Sequence, residues 1–408
     1  MKAGRYIYLL PMIILLLITG GCWNRIEPES LALVLGIGLD YDRQRGEYEA
    51  VAEIANPAAL VGGEGGNSGG ATGGSVIASG KGKNIFEALR QIEPHVSRDL
   101  FWGHSEEVII SEVLAREGIR PLLDLYSRER QTRLSNFILV ADDDLKEILQ
   151  TKLPLESETG VGISRQIQTV QATQTVIPYT DMRMVLIDYN RPGKEVFIPR
   201  IRIKSGETGQ EGGEQEGGGA PGNGSGQKER SLEVAGGAAF RGERMVGWME
   251  PKATQGWLYA MGHITRATEM IPCPAPTCKH YLAVEVHRVF SRREVALVDG
   301  KVKVKVEMSV EARLQEKDCA YPYDEQYEEG LHKSLAESVR KKVRTALNRA
   351  RELRSDIFGF GSSLHCKYPR EWRQLEDKWE DHFTRIEVEI EVKANILRPG
   401  LVVDPPGR

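Results

Sequence analysis

The sequence predicts an α+β protein of three mixed α/β domains that follow a cleaved N-terminal signal peptide. Short apolar segments alternate with helical patterns between residues 84 and 150. Strand-like alternation at residues 301–314 and 386–393 flanks a long helical pattern. The one long apolar run, residues 7–18, is shorter than the roughly 20 residues that a membrane-spanning helix needs. With 408 residues, 40% of them hydrophobic and 27% charged, the chain has material for two or three globular domains.

Residues 1–21 have the pattern of a lipoprotein signal peptide. A basic end and the apolar run lead through small residues to Cys22. We expect cleavage before Cys22 and a diacylglyceryl group on its thiol, which would place the chain on a membrane. Two acyl chains hold firmly, because each buried methylene contributes about 0.8 kcal/mol. The alternative is an ordinary signal peptide with an unrelated cysteine, since Thr19 stands where a lipobox usually has leucine.

Residues 22–185 are predicted to form an N-terminal α/β domain. Apolar strands are expected at 31–39, 107–110 and 137–140, an alternating strand with Glu47, Glu49 and Glu53 at 47–54, and helices after Asn84, at 112–127 and at 145–149. The low-complexity segment 61–74 cannot bury a core and is expected to be an expanded hairpin loop. Its Gly-x-Ser-x-Gly match lacks the preceding strand and following helix that a nucleophile elbow requires.

Residues 186–268 are predicted to form a middle domain. The strand pattern at residues 196–203 contains Pro199, which favours an edge strand because proline cannot donate a ladder hydrogen bond. A second glycine-rich loop covers residues 205–227, and a strand pattern resumes at residue 232. This loop is also interpreted as an insertion within a domain.

Residues 269–408 are predicted to form a C-terminal α+β domain with a long helix at residues 326–354. Asp299-Gly300 is a favoured hairpin turn. After it, apolar residues alternate with lysines, whereas the last strand, at residues 386–393, alternates with glutamates. These opposite charges indicate that the two strands are neighbours.

The composition and motifs argue against nucleic-acid binding and enzymatic activity. The net charge of −4 becomes −6 when Lys2 and Arg5 are removed with the signal peptide, which does not favour nucleic acid. The chain has no dinucleotide-binding glycine fingerprint opening a helix, no P-loop and no His-Glu-x-x-His motif. We therefore expect no catalytic residue, no cofactor and no metal site.

The cysteines after the signal peptide leave several states open. Cys273 and Cys278 are close enough in sequence for a local disulfide, and an exported chain favours disulfides. Buried thiols and a metal site that includes Cys319 and Cys366 are the alternatives.

Residues 355–361, which follow the long helix, place aromatic residues between glycines. One interpretation is a helix exit whose apolar residues pack under the sheet. The other is a docking loop for partner subunits, which would use Asp356, Phe358 and Phe360.

Four stretches of the chain together resemble the Ger(x)C family, the lipoprotein C subunits of bacterial spore germinant receptors. They are GCWNRIEPESLALVLGIGLDYD at residues 21–42, FWGHSEEVIISEVLAREGI at 101–119, AGGAAFRGERMVGWMEP at 235–251, and SDIFGFGSSLHCKYPREWRQLEDKWEDHF at 355–383. Asn24 stands where the family usually has aspartate.

The resemblance implies a non-enzymatic subunit of three mixed α/β domains, lipid-anchored through Cys22 at the outer face of the spore inner membrane. It further implies that the chain works with germinant receptor A and B membrane subunits in spore germination. The alternative function is a lipid-anchored solute-binding protein of a transporter, which would need two similar doubly wound lobes around a ligand cleft.

Overall fold

The computed structural model describes residues 30–56, 74–205, 230–276, 278–317 and 324–397. Cys22, Cys319 and nearly all of the two glycine-rich loops lie outside these ranges. The strands are β1 (Leu31–Asp42), β2 (Glu47–Ala55), β3 (Ser75–Gly82), β4 (Asp99–Phe101), β5 (Glu107–Ser111), β6 (Phe137–Ala141), β7 (Phe197–Ser205), β8 (Arg230–Arg241), β9 (Arg244–Met249), β10 (Ala267–Pro272), β11 (Tyr281–Val298), β12 (Lys301–Glu316) and β13 (Glu387–Leu397). The α-helices are α1 (Ile85–Arg90), α2 (Glu112–Glu117), α3 (Arg120–Arg128), α4 (Leu145–Gln150), α5 (Thr159–Thr173), α6 (Met182–Tyr189), α7 (Pro251–Met261), α8 (Glu325–Glu352), α9 (Phe360–Lys367), α10 (Pro369–Leu375) and α11 (Trp379–Arg385).

A large mixed sheet occupies the first two-thirds of the described chain. Its strand order is β3-β2-β1-β5-β6-β7-β8-β9, and β4 pairs with the start of β1. The central pairs β1–β5, β5–β6 and β6–β7 are parallel, whereas the outer pairs are antiparallel. Parallel neighbours need helical crossovers, and this accounts for the alternation of strands and helices along the sequence.

Both faces of the large sheet are covered. On one face, apolar residues of α1, α2, α3 and α6 pack against β1 and β5. On the other face, α4 and α5 pack against β5, β6 and β8. Local capping supports two of these helices: Asn84 accepts from the N–H of Glu87 at 2.8 Å, and Asp144 accepts from the N–H groups of Lys146 and Glu147.

A second sheet has the order β10-β11-β12-β13 and packs one face against α8. Helix α7 lies between α8 and the large sheet and is nearly all buried. Gly256 permits this close packing, because a Cβ there would lie 2.0 Å from the carbonyl oxygen of Lys342. The α+β class is therefore confirmed.

The structure confirms the hairpin and the strand pairing that were predicted for the C-terminal region. Asp299 and Gly300 have φ angles of 51° and 74°, as a tight hairpin turn requires. β12 pairs in parallel with β13, and two ion pairs cross between them, Lys303–Glu387 at 2.9 Å and Lys305–Glu391 at 3.1 Å.

The prediction that the strand with Pro199 lies at a sheet edge is wrong. This strand, β7, lies between β6 and β8 inside the large sheet. Its pairing with β6 begins only at Arg200, and its pairing with β8 is irregular between Pro199 and Ile201. The missing N–H of proline therefore costs no ladder hydrogen bond at this point.

The sheet also bears on the predicted domain boundaries. Strands β7, β8 and β9 of the predicted middle domain, residues 186–268, continue the sheet that begins in residues 22–185. Each glycine-rich loop joins adjacent antiparallel strands: β2 to β3, where the N–H of Asn56 donates to the carbonyl of Gly74 at 2.7 Å, and β7 to β8. The division at residue 185 stays a prediction.

Candidate functional site

The residues after α8 form a junction between the large sheet and the C-terminal region. At its centre, Asp356 is almost completely buried. Its carboxylate accepts hydrogen bonds from the N–H groups of Gly359, Phe360 and Gly361 at 2.8–3.1 Å and from Nε1 of Trp379 at 2.9 Å. Asp356 therefore orders the first turn of α9, whose start uses Gly359 in a left-handed conformation (φ 72°).

Two carboxyl groups of the junction have raised pKa values. Burial raises the pKa of Asp356 to about 6, although the four donors favour its ionised form. Burial, with the nearby charges of Asp356 and Glu380, raises the pKa of Glu195 to about 7. Because the folded state holds these protons more tightly than the unfolded chain, the junction loses stability as the pH rises through these values.

Hydrogen bonds tie the segment to the large sheet, to the residues just before β7 and to α7. The hydroxyl of Ser355 donates to the carbonyl of Phe240 in β8, and Nε1 of Trp257 in α7 donates to the carbonyl of Ile357 at 3.0 Å. Two backbone bonds join the segment to the residues before β7. The N–H of Glu195 donates to the carbonyl of Asp356 at 3.1 Å, and the N–H of Ser362 donates to the carbonyl of Gly193 at 2.8 Å. Most of these partners are backbone groups, so side-chain chemistry alone could not have predicted them.

Two glycines, Gly193 and Gly361, allow the two segments of the chain to approach each other at the junction. A Cβ on Gly193, whose φ is 70°, would lie 2.5 Å from the carbonyl carbon of Gly361. A Cβ on Gly361 would lie 2.5 Å from Nε1 of Trp379. Neither position accommodates a side chain without backbone movement, so both glycines are part of the junction. Sequence reasoning missed Gly193 and Glu195, which lie outside the four resembling stretches.

The structure places Phe358 and Phe360 in the core. Their rings stack with centroids 5.3 Å apart, and Phe360 also contacts Phe383 at 6.3 Å. Their exposed fractions are 3% and 1%. This burial favours the helix-exit interpretation, in which the side chains of Asp356, Phe358 and Phe360 fill the interior and hold the turn. The docking role of these residues stays a prediction.

The remaining predicted sites give less information. Cys22, the predicted lipidation site, lies outside the described residues. Cys273 is buried, and its Sγ lies 3.7 Å from the hydroxyl of Tyr327. Cys278 is partly buried, and its N–H donates to the carbonyl of Ala275. A Cys273–Cys278 disulfide stays a prediction.

The described residues contain no cluster of three or more His, Cys, Asp or Glu side chains that could hold a metal ion. Among the same residues, no helix has both the length and the apolar character needed to cross a membrane. The junction itself has carboxylates that accept hydrogen bonds and aromatic rings that pack. This arrangement can position two parts of a protein relative to each other.

The four resembling stretches meet in pairs. β1 of the first stretch pairs with β5 of the second, where the hydroxyl of Ser111 donates to Asp40. The third stretch meets the fourth at the junction, through the Ser355–Phe240 hydrogen bond and an ion pair between Arg241 and Glu380 at 3.4 Å. The stretches that carry the resemblance therefore contribute contacts between segments that are distant in sequence.

Comparison with known proteins matches two family models to most of the chain. Residues 24–203 match the spore germination protein N-terminal domain, and residues 235–400 match the spore germination B3/GerAC-like C-terminal domain. Spore germination protein KC of Bacillus subtilis (strain 168) is 22% identical, with 97% of this chain and 96% of that protein covered. YfkR of the same strain is 24% identical, with 98% of each chain covered.

A solved structure shares the fold. The crystal structure of the GerBC protein superposes with a TM-score of 0.55 at 13% sequence identity, and the match covers 89% of this chain and 97% of that one. Both family models, taken together with near-complete coverage of the relatives, show that this chain belongs to the Ger(x)C family of spore germination proteins.

Proposed function

We propose that this chain is the non-catalytic, lipid-anchored C subunit of a nutrient germinant receptor. In this role it assembles with A and B membrane subunits at the outer face of the spore inner membrane and is required for germination. The observation that carries the proposal is the match to both family domains over residues 24–203 and 235–400. The junction supports it, because its carboxylates and aromatic rings are committed to holding the fold.

The N-terminal segment supports a position close to the bilayer. The apolar run at residues 7–18 and the small residues after it lead to Cys22. Between Cys22 and Leu31, where β1 begins, lie residues 23–30. An extended chain spans at most about 3.6 Å per residue, so the nine steps from Cys22 to Leu31 reach no more than about 32 Å. An acylated Cys22 would keep the large sheet near the membrane surface.

The fold counts against the alternative of a solute-binding protein. That class needs two lobes of similar doubly wound topology with a cleft between them. Here one sheet is large and mixed with helices on both faces, whereas the other has four strands and a long helix on one face. The two parts do not resemble each other.

Replacement of Cys22 by alanine is expected to remove the lipid anchor while leaving the described fold intact. The variant should move from the membrane fraction to the soluble fraction of spores, and receptor function should be lost. Mass spectrometry should find the diacylglyceryl group on the N-terminal peptide of the wild type. Cys366→Ala is the matched control, because Cys366 is exposed and distant in sequence, and it should behave as wild type. An unmodified Cys22 in the wild type would refute the anchor.

A further inference from the structure

Two buried glutamates of the large sheet lie on the strands to either side of a glycine. Glu53 of β2 pairs directly with Gly36 of β1. Glu107 of β5 precedes Val108, which pairs with Ile37, so Glu53, Gly36 and Glu107 lie in a row across three strands. Both glutamates are 0% exposed. Two carboxyl groups without access to water need compensation from their surroundings.

Glu53 is compensated by three donors. The hydroxyl of Ser75 donates to its Oε1 at 2.6 Å, the N–H of Thr159 donates to the same oxygen at 2.9 Å, and the N–H of Gly160 donates to its Oε2 at 2.6 Å. Thr159 and Gly160 are the first residues of α5, where the helix dipole favours a negative charge. These contacts fit an ionised carboxylate at Glu53.

Within the described ranges, only one of the two carboxyl oxygens of Glu107 accepts a hydrogen bond. The hydroxyl of Ser164 donates to its Oε2 at 2.9 Å, whereas its Oε1 has no hydrogen-bond partner within the described ranges. A Cβ at Gly36 would lie 2.7 Å from this Oε1 and 3.5 Å from Oε2 of Glu53. A Cβ at Gly160 would lie 2.6 Å from the same Oε1. The two glycines therefore leave space for this oxygen, and the space over Gly36 also borders Oε2 of Glu53.

Within the described part of the chain, the pair has no cationic partner. Among the described residues, no lysine, arginine or histidine forms an ion pair with Glu53 or Glu107. Besides burial, the neighbouring charges that raise the pKa of the two carboxyls come from acidic groups, Glu158 next to α5 and Glu106 next to β5. Burial and the charge of Glu107 in turn raise the pKa of Tyr126 on α3. Arg165 of α5 pairs with Glu156 instead, at 2.6 Å. Burial raises the pKa of Glu107 well above its ordinary 4.5, and burial also raises that of Glu53.

We infer that Glu53 and Glu107 form a proton-binding site in which one proton, held on Oε1 of Glu107, keeps α5 seated on the large sheet. With the proton bound, the pair carries one negative charge, which the N-terminus of α5 stabilises. Loss of the proton puts two like charges in one dry site directly beneath that helix. The site therefore makes the seating of α5 sensitive to pH. This inference does not depend on the receptor role.

The experiment uses the chain from residue 23, which keeps every residue of the three apolar cores. The folding equilibrium constant is measured by urea unfolding between pH 5 and pH 8 for the wild type, Glu107→Gln and Glu106→Gln. Glutamine preserves the shape of the protonated acid and cannot ionise. Glu106 is the adjacent exposed glutamate, and Glu106→Gln removes one nearby charge but leaves Glu107 able to bind its proton, so it serves as the matched control.

The wild type should lose stability relative to Glu107→Gln by about tenfold in the folding equilibrium constant per pH unit, as one retained proton requires. The folding equilibrium constant of Glu106→Gln should change with pH at the same rate as that of the wild type. The protection factors of the amides in residues 159–164, which are corrected for the base-catalysed intrinsic exchange rate, should fall at high pH in the wild type and stay constant in Glu107→Gln. The same pH dependence of the folding equilibrium constant in the wild type and in Glu107→Gln would overturn the inference.

A measurement on the wild type alone covers the case in which Glu107→Gln fails to fold. Infrared spectroscopy at pH 8 should show the carbonyl band of one protonated carboxyl group from the Glu53–Glu107 pair, because Asp356 and Glu195, two raised carboxyls outside the pair, have pKa values of about 6 and about 7. Absence of that band at pH 8 in the folded wild type would also overturn the inference.

Discussion

Replacement of Phe360 by alanine is expected to lower the free energy of unfolding by about 3–5 kcal/mol, because it leaves a cavity in a closely packed core. Phe360 is 1% exposed and lies between Phe358 and Phe383. Urea unfolding followed by tryptophan fluorescence suits this measurement, since Trp379 and Trp372 lie in the same aromatic cluster with their rings 5.3 Å apart.

Phe86→Ala is the control for this variant. Phe86 is 48% exposed and contacts Arg90, whose guanidinium lies 5.5 Å from the ring centroid, so its removal should cost no more than about 1 kcal/mol. A Phe360→Ala chain that unfolds like the wild type but fails to co-purify with A and B subunits would favour the docking interpretation of this residue.

Replacement of Lys342 by methionine is expected to cost about 3–5 kcal/mol, because it leaves a buried carboxylate without its cation. Nζ of Lys342 lies 2.6 Å from Oε1 of Glu269, which is 1% exposed, and 2.6 Å from Oε1 of Gln255. The hydroxyls of Tyr259 and Ser338 also donate to Glu269, so the network is fully satisfied in the wild type. The free energy of unfolding in urea measures the loss.

The adjacent Lys341 is exposed, and Lys341→Met is expected to change stability by less than about 0.5 kcal/mol. The double variant Glu269→Gln/Lys342→Met removes both charges and should recover much of the loss, since replacing a whole buried pair costs far less than breaking one. A Lys342→Met chain as stable as Lys341→Met would contradict the assigned role of the ion pair.

Local patterns predicted local structure well. The turn at Asp299-Gly300, the cap at Asn84 and the long helix depend on residues close in sequence, and the structure confirms all three, with the helix at Glu325–Glu352. The Lys–Glu pairing of β12 with β13 was also predictable, because each charged face lies on one strand with a regular period of two.

The buried polar residues could not be predicted in this way. Alternation placed Glu53 on the polar side of its strand, yet its carboxyl accepts from Thr159, 106 residues away. Asp356 follows a helix in sequence, but its burial depends on Trp379 and on the large sheet that covers it. Pro199 indicated an edge only because the late start of the β6–β7 pairing was invisible in the sequence. Each of these outcomes depends on contacts between distant segments.

The most direct test of the proposed function is the germination of spores that lack the gene encoding this chain. Germination would be followed on each nutrient separately, with a wild-type copy restored as the control. If the proposed receptor role is right, the spores form normally, fail to respond to at least one nutrient, and recover that response with the restored copy. Deletion spores that respond to every nutrient as the parent does would contradict it.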